Sequence, residues 1–159
     1  MGRVTTAHST PRRRQLRFAS LEEVVADAER LVAAGNAKTV GNWSLDRLLM
    51  HLAVAIDGSI DGVPGQANRL LRIVGPLVKA WVFRRGLSPG VRLPVKLEAI
   101  AFPPGASAAE ALGRLRVAIE RTKSQRMTAR HPVFGKLTHE EWNLFHLRHA
   151  ELHLSFALV

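Results

Sequence analysis

The chain has 159 residues, 47% of them hydrophobic, which is enough for one core and gives no sign of a second domain. It contains no cysteine, which excludes a thiol nucleophile, a disulfide and a thiolate-bound metal within the chain. The net charge of +10 with neutral histidines would attract anionic small molecules or bind nucleic acid non-specifically. No helix-turn-helix, zinc-finger or RNA-binding aromatic signature accompanies it, so an ordinary basic protein is the simpler interpretation.

The N-terminal tail is basic, with an arginine run from Arg12 to Arg14. We expect residues 1–15 to be flexible and residues 16–159 to form a single domain. A twin-arginine export signal would need an apolar stretch just downstream, whereas Leu21 to Arg30 has the pattern of a charged helix. We therefore expect the protein to be cytoplasmic.

Four principal helices are predicted. Three of them begin with a serine or threonine followed three residues later by a glutamate, the pattern of a capping box: Ser20 with Glu23, Ser107 with Glu110 and Thr138 with Glu141. The first runs near Leu21 to Ala34 and is closed by Gly35, and the third runs near Ala108 to Lys123. The second follows Ser44 and has leucines at helical spacing. Strand-like alternation is nearly absent, so the expected fold is an all-α bundle.

An insertion, Gly62 to Gly105, separates the second and third of these helices. Gln66 to Arg85 is predicted to be a further helix with an apolar side and a basic side. The apolar side carries Leu70, Val74, Leu77 and Trp81, and the basic side carries Arg69, Arg72 and Lys79. Its charges and Pro76 argue against a membrane span. The simplest interpretation is an extra helix packed on the bundle or covering its cleft, and the alternatives are a dimer contact or a helix lying on anionic lipid. Pro89 to Pro104 is predicted to be a loop that borders the site, with a short extended stretch at Val91 to Ile100.

The last helix, predicted from Thr138 to Ala157, carries three histidines. At about 100° per residue, Glu141, Arg148 and Glu151 share a sector that should face water. Trp142, His146, His149 and His153 fall in the opposite sector, which should be buried between the flanking residues Phe145, Leu152 and Phe156.

His149 and His153, four residues apart, have the spacing that lets two imidazoles chelate one ion. His146 lies about 10 Å from His153 along the axis, so all three on one ion would be strained. A third ligand should come from another helix, and His51, at the edge of the apolar stripe of the second helix, is the best candidate. Ordinary core or boundary histidines would show the same spacing, so both interpretations stay open.

Two segments resemble the DinB-like superfamily of bacterial four-helix bundles, which includes the YfiT-type metal-dependent proteins. They are Trp43-Ser44 followed by His51, and the closing run from Phe145 through His149 to His153. The similarity runs from about Gln15 to Val159, and within the superfamily the chain resembles an uncharacterised bacterial branch. The resemblance implies a DinB-like four-helix bundle, here with an extra helix between the second and third core helices. It also implies a divalent metal on His51, His149 and His153, with zinc and nickel as the leading candidates.

Three neutral imidazoles leave a coordination position open, as in catalytic rather than structural sites. An ion there lowers the pKa of bound water or converts a bound thiol into thiolate, and with no cysteine in the chain the thiol must be external. Several characterised superfamily members are thiol transferases or isomerases that use bacillithiol, mycothiol or glutathione, and others are hydrolases. The leading hypothesis is therefore a metal-dependent transferase or hydrolase acting on a small electrophile, and the positive net charge favours an anionic one. His146 would support a ligand or transfer a proton, and Trp142 would form a cleft wall.

Two other classes remain open. One is a non-catalytic bundle that binds only a metal or a ligand, and the other is a basic module that binds nucleic acid or an anionic membrane. A steep loss of affinity with salt would mark the basic module. Superfamily relatives are often dimers, so the resemblance also implies a homodimer.

Overall fold

The computed structural model describes residues 13–63, 69–90 and 106–159. Within these ranges the protein is mostly helical, as the all-α prediction requires. Its elements in chain order are α1 Leu21–Ala33, β1 Lys38–Thr39, α2 Leu45–Asp61, α3 Arg69–Arg85, α4 Ala108–Ser124, β2 Arg130–His131, β3 Gly135–Lys136, α5 His139–Leu154 and β4 Ala157–Leu158. Most of the predicted loop from Pro89 to Pro104, and the whole extended stretch within it, lie outside the described residues. None of the helices in these ranges is long and apolar enough to cross a membrane.

The predicted helix starts are confirmed. Ser20 accepts a hydrogen bond from the backbone N–H of Glu23, and complete capping boxes open α4 and α5. Each box satisfies backbone donors that the first helical turn leaves without an intrahelical partner. Gly35, with φ of 68°, follows the last turn of α1 in the left-handed conformation expected of a C-terminal cap.

Helices α1, α2, α4 and α5 pack around one apolar core. The closest packing is between α2 and α4, while α1 lies against α4 and α5, and α2 lies against α5. The largest side chains that this core buries almost completely are Val24, Leu31, Leu48, Leu49, Leu115 and Leu154. Each such side chain contributes about 1.5 to 3 kcal/mol by leaving water. The contact between α2 and α5 brings side chains from these two helices close to one another.

Four very short strands were not predicted. Strand β1 pairs with β4, and β2 pairs with β3 in a hairpin that sets His131 opposite Gly135. Two residues per strand give no readable alternation, so sequence periodicity cannot detect them. The last helix ends at Leu154 rather than at Ala157 because the chain turns there to enter β4.

The prediction that Arg148 and Glu151 face water is wrong. Only 5% and 8% of their surfaces are exposed, and their side chains form an ion pair with one another. Arg148 Nε donates to the carbonyl of Phe83 at 3.1 Å, and Glu151 accepts from the backbone N–H of Phe18 at 2.9 Å. The N-terminal segment and α3 cover this side of α5, so the two charges are buried but satisfied.

Helix α3 packs on α5 and on the β2–β3 hairpin. Lys79 Nζ lies 2.5 Å from a carboxylate oxygen of Glu141, and Val82 and Phe83 are buried in a second apolar cluster with Trp142. A Cβ added at Gly75 would lie 2.1 Å from the carbonyl oxygen of Val133, so only glycine permits this close approach.

Candidate metal centre

The contact between α2 and α5 brings together the three histidines expected to bind a metal. Nε2 of His149 lies 3.0 Å from Nε2 of His51 and 3.0 Å from Nε2 of His153. One ligand atom from each of the three residues lies within 4.8 Å of the others, so the group is placed to hold a metal ion. His51 and His149 are buried, and His153 is partly buried.

Hydrogen bonds between the rings would have to be shared in this arrangement. Each ring nitrogen of a neutral imidazole carries either one hydrogen or one lone pair, and Nε2 of His149 has two ring nitrogens at 3.0 Å. Two hydrogen bonds there would divide that single hydrogen or lone pair between them. Nitrogens about 2.0 to 2.1 Å from a tetrahedral ion are about 3.3 Å apart. A single cation that accepts all three lone pairs therefore explains both short contacts.

Burial keeps the imidazoles of His149 and His153 neutral. It lowers the pKa of His153 to about 3, with a smaller contribution from the nearby His51. Burial also lowers the pKa of His149 well below its ordinary value, and His153 and His51 reinforce the shift. Because a metal competes with protons for the same lone pairs, these lowered pKa values leave the nitrogens available at neutral pH.

Two aromatic side chains fix the ring orientations. Trp43 stacks on His153 with ring centroids 5.2 Å apart and planes inclined by 10°, and it meets His51 edge-on at 5.4 Å. Phe145 stacks against His149 at 5.3 Å. Nδ1 of His149 is buried without a hydrogen-bond partner among the described residues, so packing rather than a hydrogen bond orients this ring.

Sequence reasoning used Trp43 only as a motif residue and missed its position in the site. The segment before α2 reaches the end of α5 through the β1–β4 pairing and a hydrogen bond from the N–H of Val40 to the carbonyl of Phe156 at 2.9 Å. The guanidinium carbon of Arg47 lies 5.8 Å from the centre of the Trp43 ring. No local sequence pattern signals a contact that depends on a two-residue strand pair.

The structure places His146 and Trp142 one ring away from the three histidines. Their rings stack on each other at 5.4 Å, and Trp142 Nε1 donates to the carbonyl of Ala129 at 3.1 Å. Among the described residues, their other ring contacts are with Phe145 and, for Trp142, with His131. Phe145 in turn lies against His149.

His131 is a second residue near the site that sequence reasoning missed. Its Nδ1 accepts hydrogen bonds from the backbone N–H groups of Val133 and Phe134 at 3.1 and 3.0 Å, so the neutral ring carries its proton on Nε2. Burial lowers its pKa to about 4. The ring packs at 4.6 Å on both Phe134 and Phe145. It lies in a hairpin, where helical periodicity gives no signal.

His146 adds another neutral imidazole beside His131. Burial, with a smaller contribution from His131, lowers its pKa to about 3. Within the described ranges its Nε2 is buried without a hydrogen-bond partner. The triad is thus backed by aromatic rings and two further uncharged histidines.

Comparison with known proteins gives a family but no activity. No curated protein and no solved structure matches the chain. One family profile, described as "Protein of unknown function (DUF1569)", matches residues 10–158. Because this match covers nearly the whole sequence, the chain belongs to that family of unknown function.

Proposed function

We propose that the protein is a metal-dependent enzyme in which His51, His149 and His153 hold one divalent ion, with zinc and nickel as the leading candidates. The observation that supports it best is the pair of 3.0 Å contacts that converge on Nε2 of His149. We also propose that α1, α2, α4 and α5 are the core of a DinB-like four-helix bundle and that α3 is its inserted helix. Three neutral nitrogen ligands suit zinc and nickel better than magnesium or calcium, which prefer oxygen.

The proposed reaction is attack on a small electrophile by an external low-molecular-weight thiol or by water. A divalent ion with three protein ligands has an open position and lowers the pKa of a thiol or water that binds there. The chain itself contains no cysteine, so a thiol transferase would need its thiol from solution.

The surrounding residues have separate roles in this proposal. Trp43 and Phe145 hold the imidazole rings at their angles, and Trp142 closes the layer behind Phe145. His146, with a pKa of about 3, is neutral at pH 7. It would donate or accept a hydrogen bond rather than act as a protonated acid. The Nε2–H of His131 is a fixed donor near the same aromatic layer.

Glu151 is not proposed as a general base. Its carboxylate pairs with Arg148, accepts a backbone hydrogen bond from Phe18 and lies 3.6 Å from Arg17. A carboxylate held by these partners is committed to structure, and it lies on the side of α5 opposite the triad.

The experiment that tests the site is elemental analysis of untagged protein. Wild type should retain about one ion per chain, and His149→Ala or His153→Ala should retain none, because a chelate that loses one of three ligands loses most of its affinity. His146→Ala is the matched control, since it removes a buried histidine of the same helix that lies outside the triad. Full metal retention by His153→Ala would disprove the assignment.

Catalysis requires a separate assay with the metal-loaded protein. We would supply glutathione with chlorodinitrobenzene for thiol transfer and nitrophenyl acetate for hydrolysis, beside the His153→Ala variant. Metal-dependent turnover that this variant loses would support the enzyme. Stoichiometric metal without turnover, with these and related electrophiles and thiols, would instead indicate a protein that only binds metal.

A further inference from the structure

Helix α3 exposes a continuous apolar face, which we call the apolar stripe. Its members are Leu70, Ile73, Val74, Leu77, Val78 and Trp81, whose exposed fractions range from 38% for Val74 and Val78 to 79% for Leu77. At about 100° per residue, the six side chains fall within an arc of about 140°. From the first to the last member the stripe is about 16 Å long, at about 1.5 Å per residue.

The opposite side of α3 holds the helix in this orientation. Gly75 lies against Val133, Lys79 pairs with Glu141, and Val82 and Phe83 are buried in the second apolar cluster. Rotating the helix to bury the stripe would break the ion pair and force side chains into the close contact at Gly75. The outward direction of the stripe is therefore fixed by packing.

Such a face needs an explanation. Monomeric proteins rarely expose apolar patches of this size, and larger patches typically bind another surface. A helix with an apolar stripe, a tryptophan and basic residues has the composition of helices that lie at the interface of a membrane. Arg84 and Arg85 are exposed at its C-terminal end, next to Trp81 in the helix.

Charge distinguishes between the candidate occupants. The sequence of α3 contains five basic residues and no acidic one. Twofold pairing with a second copy through this face would bring two positively charged helices together without a compensating acid on either. Glu141, an acid that contacts α3, is already paired with Lys79. A partner surface with an apolar interior and a negatively charged exterior matches both the apolar stripe and the basic residues of α3.

We propose that α3 docks the protein on an anionic phospholipid bilayer. The apolar stripe enters the boundary between headgroups and acyl chains, and Arg84 and Arg85 contact lipid phosphates. This proposal goes beyond the proposed metal chemistry and does not depend on it, because the stripe faces away from the side of α3 that packs on α5.

The test is flotation of the full chain with vesicles of equimolar phosphatidylglycerol and phosphatidylcholine, beside vesicles of phosphatidylcholine alone. Wild type should float with the anionic vesicles only, and added salt should weaken binding. Leu77→Glu should lower the partition coefficient roughly tenfold or more, because it places a charge where the proposal has leucine enter the bilayer. Val117→Glu is the matched control: Val117 is also an exposed apolar residue, 53% accessible, but lies on α4, and its substitution should not change binding.

Three flotation results would overturn the proposal. They are a failure of wild type to float with anionic vesicles, flotation of Leu77→Glu equal to that of wild type, and an equal loss of binding in Leu77→Glu and Val117→Glu. The second would assign binding to the basic N-terminal segment. Light scattering gives an independent check: a wild-type dimer that only Leu77→Glu converts to monomer would make the stripe a contact between copies and would also overturn it.

Discussion

The two sides of α5 bury polar groups in opposite ways. On one side, Arg148 and Glu151 neutralise each other and bind the backbone at Phe83 and Phe18. On the other side, the imidazole nitrogens of the triad converge on Nε2 of His149, which has a single hydrogen or lone pair for both neighbours. The first arrangement is complete within the protein, and the second is placed to hold a metal ion.

This difference separates a polar cluster that is complete within the protein from one that is placed to hold a metal ion. A buried ion pair whose partners all come from the protein holds neighbouring segments together, here the N-terminal segment, α3 and α5. Uncharged imidazole nitrogens that point at one another do not hold segments together in this way. We therefore expect substitutions on the two sides to affect different properties of the protein.

The largest effect should follow from breaking the buried ion pair. Glu151→Ala leaves the Arg148 guanidinium buried without its carboxylate, and removal of one partner of a buried pair costs about 3 to 5 kcal/mol. Denaturant unfolding should show this loss in the free energy of unfolding. If the variant folds, it should still bind metal, because the triad is on the other side of the helix.

An exposed ion pair supplies the control. Arg116 contacts Glu29 at 2.7 Å, and both side chains are substantially accessible. Because water and salt screen such a pair, Arg116→Ala should change stability by less than about 1 kcal/mol. Equal costs for Glu151→Ala and Arg116→Ala would remove the distinction between a buried structural pair and the surface.

The sequence predicted the histidine side well and the ion-pair side badly, and both results have the same cause. A helical period identifies which residues share a sector, and this was sufficient to select His149 and His153. His51 was only the best candidate for a third ligand until the resemblance to a known superfamily implied it. It does not identify what covers a sector. Phe18 precedes Glu151 by 133 residues, and this distant segment covers a face of α5 that helical periodicity predicts to be exposed.

The capping boxes were predictable because each depends on residues three positions apart. Trp43 and His131 were not predictable as neighbours of the site, because they reach it through two-residue strands and a hairpin. Such contacts are formed by tertiary packing and leave no periodic trace in the chain.

An effect that is smaller per unit of pH should appear as the metal-free protein is acidified. Burial lowers the pKa of His131 to about 4 and of His146 to about 3, so below the ordinary value of about 6.5 the unfolded chain binds protons that the folded chain excludes. Stability should be full above pH 6.5 and should fall as pH decreases from there toward 4. Each buried histidine contributes at most about 1.4 kcal/mol per pH unit.

The pH effect is measured by denaturant unfolding in the presence of a chelator, over a series of buffers. His146→Phe should reduce the slope, because it removes one titrating ring while keeping a ring to stack on Trp142. A slope that is the same in wild type and in His146→Phe would contradict a buried neutral histidine at this position.

The smallest expected effect concerns the orientation of the triad. Trp43 stacks on His153, so Trp43→Leu should keep an apolar side chain but release that ring, and groups that orient metal ligands are worth roughly tenfold or more in affinity. Competition with a chromophoric chelator measures the change. Trp81→Leu, on the exposed stripe of α3, is the matched control and should bind metal like wild type. Equal affinities in the two variants would mean that the helices alone position His153, and that the aromatic ring beside it has no part in the metal site.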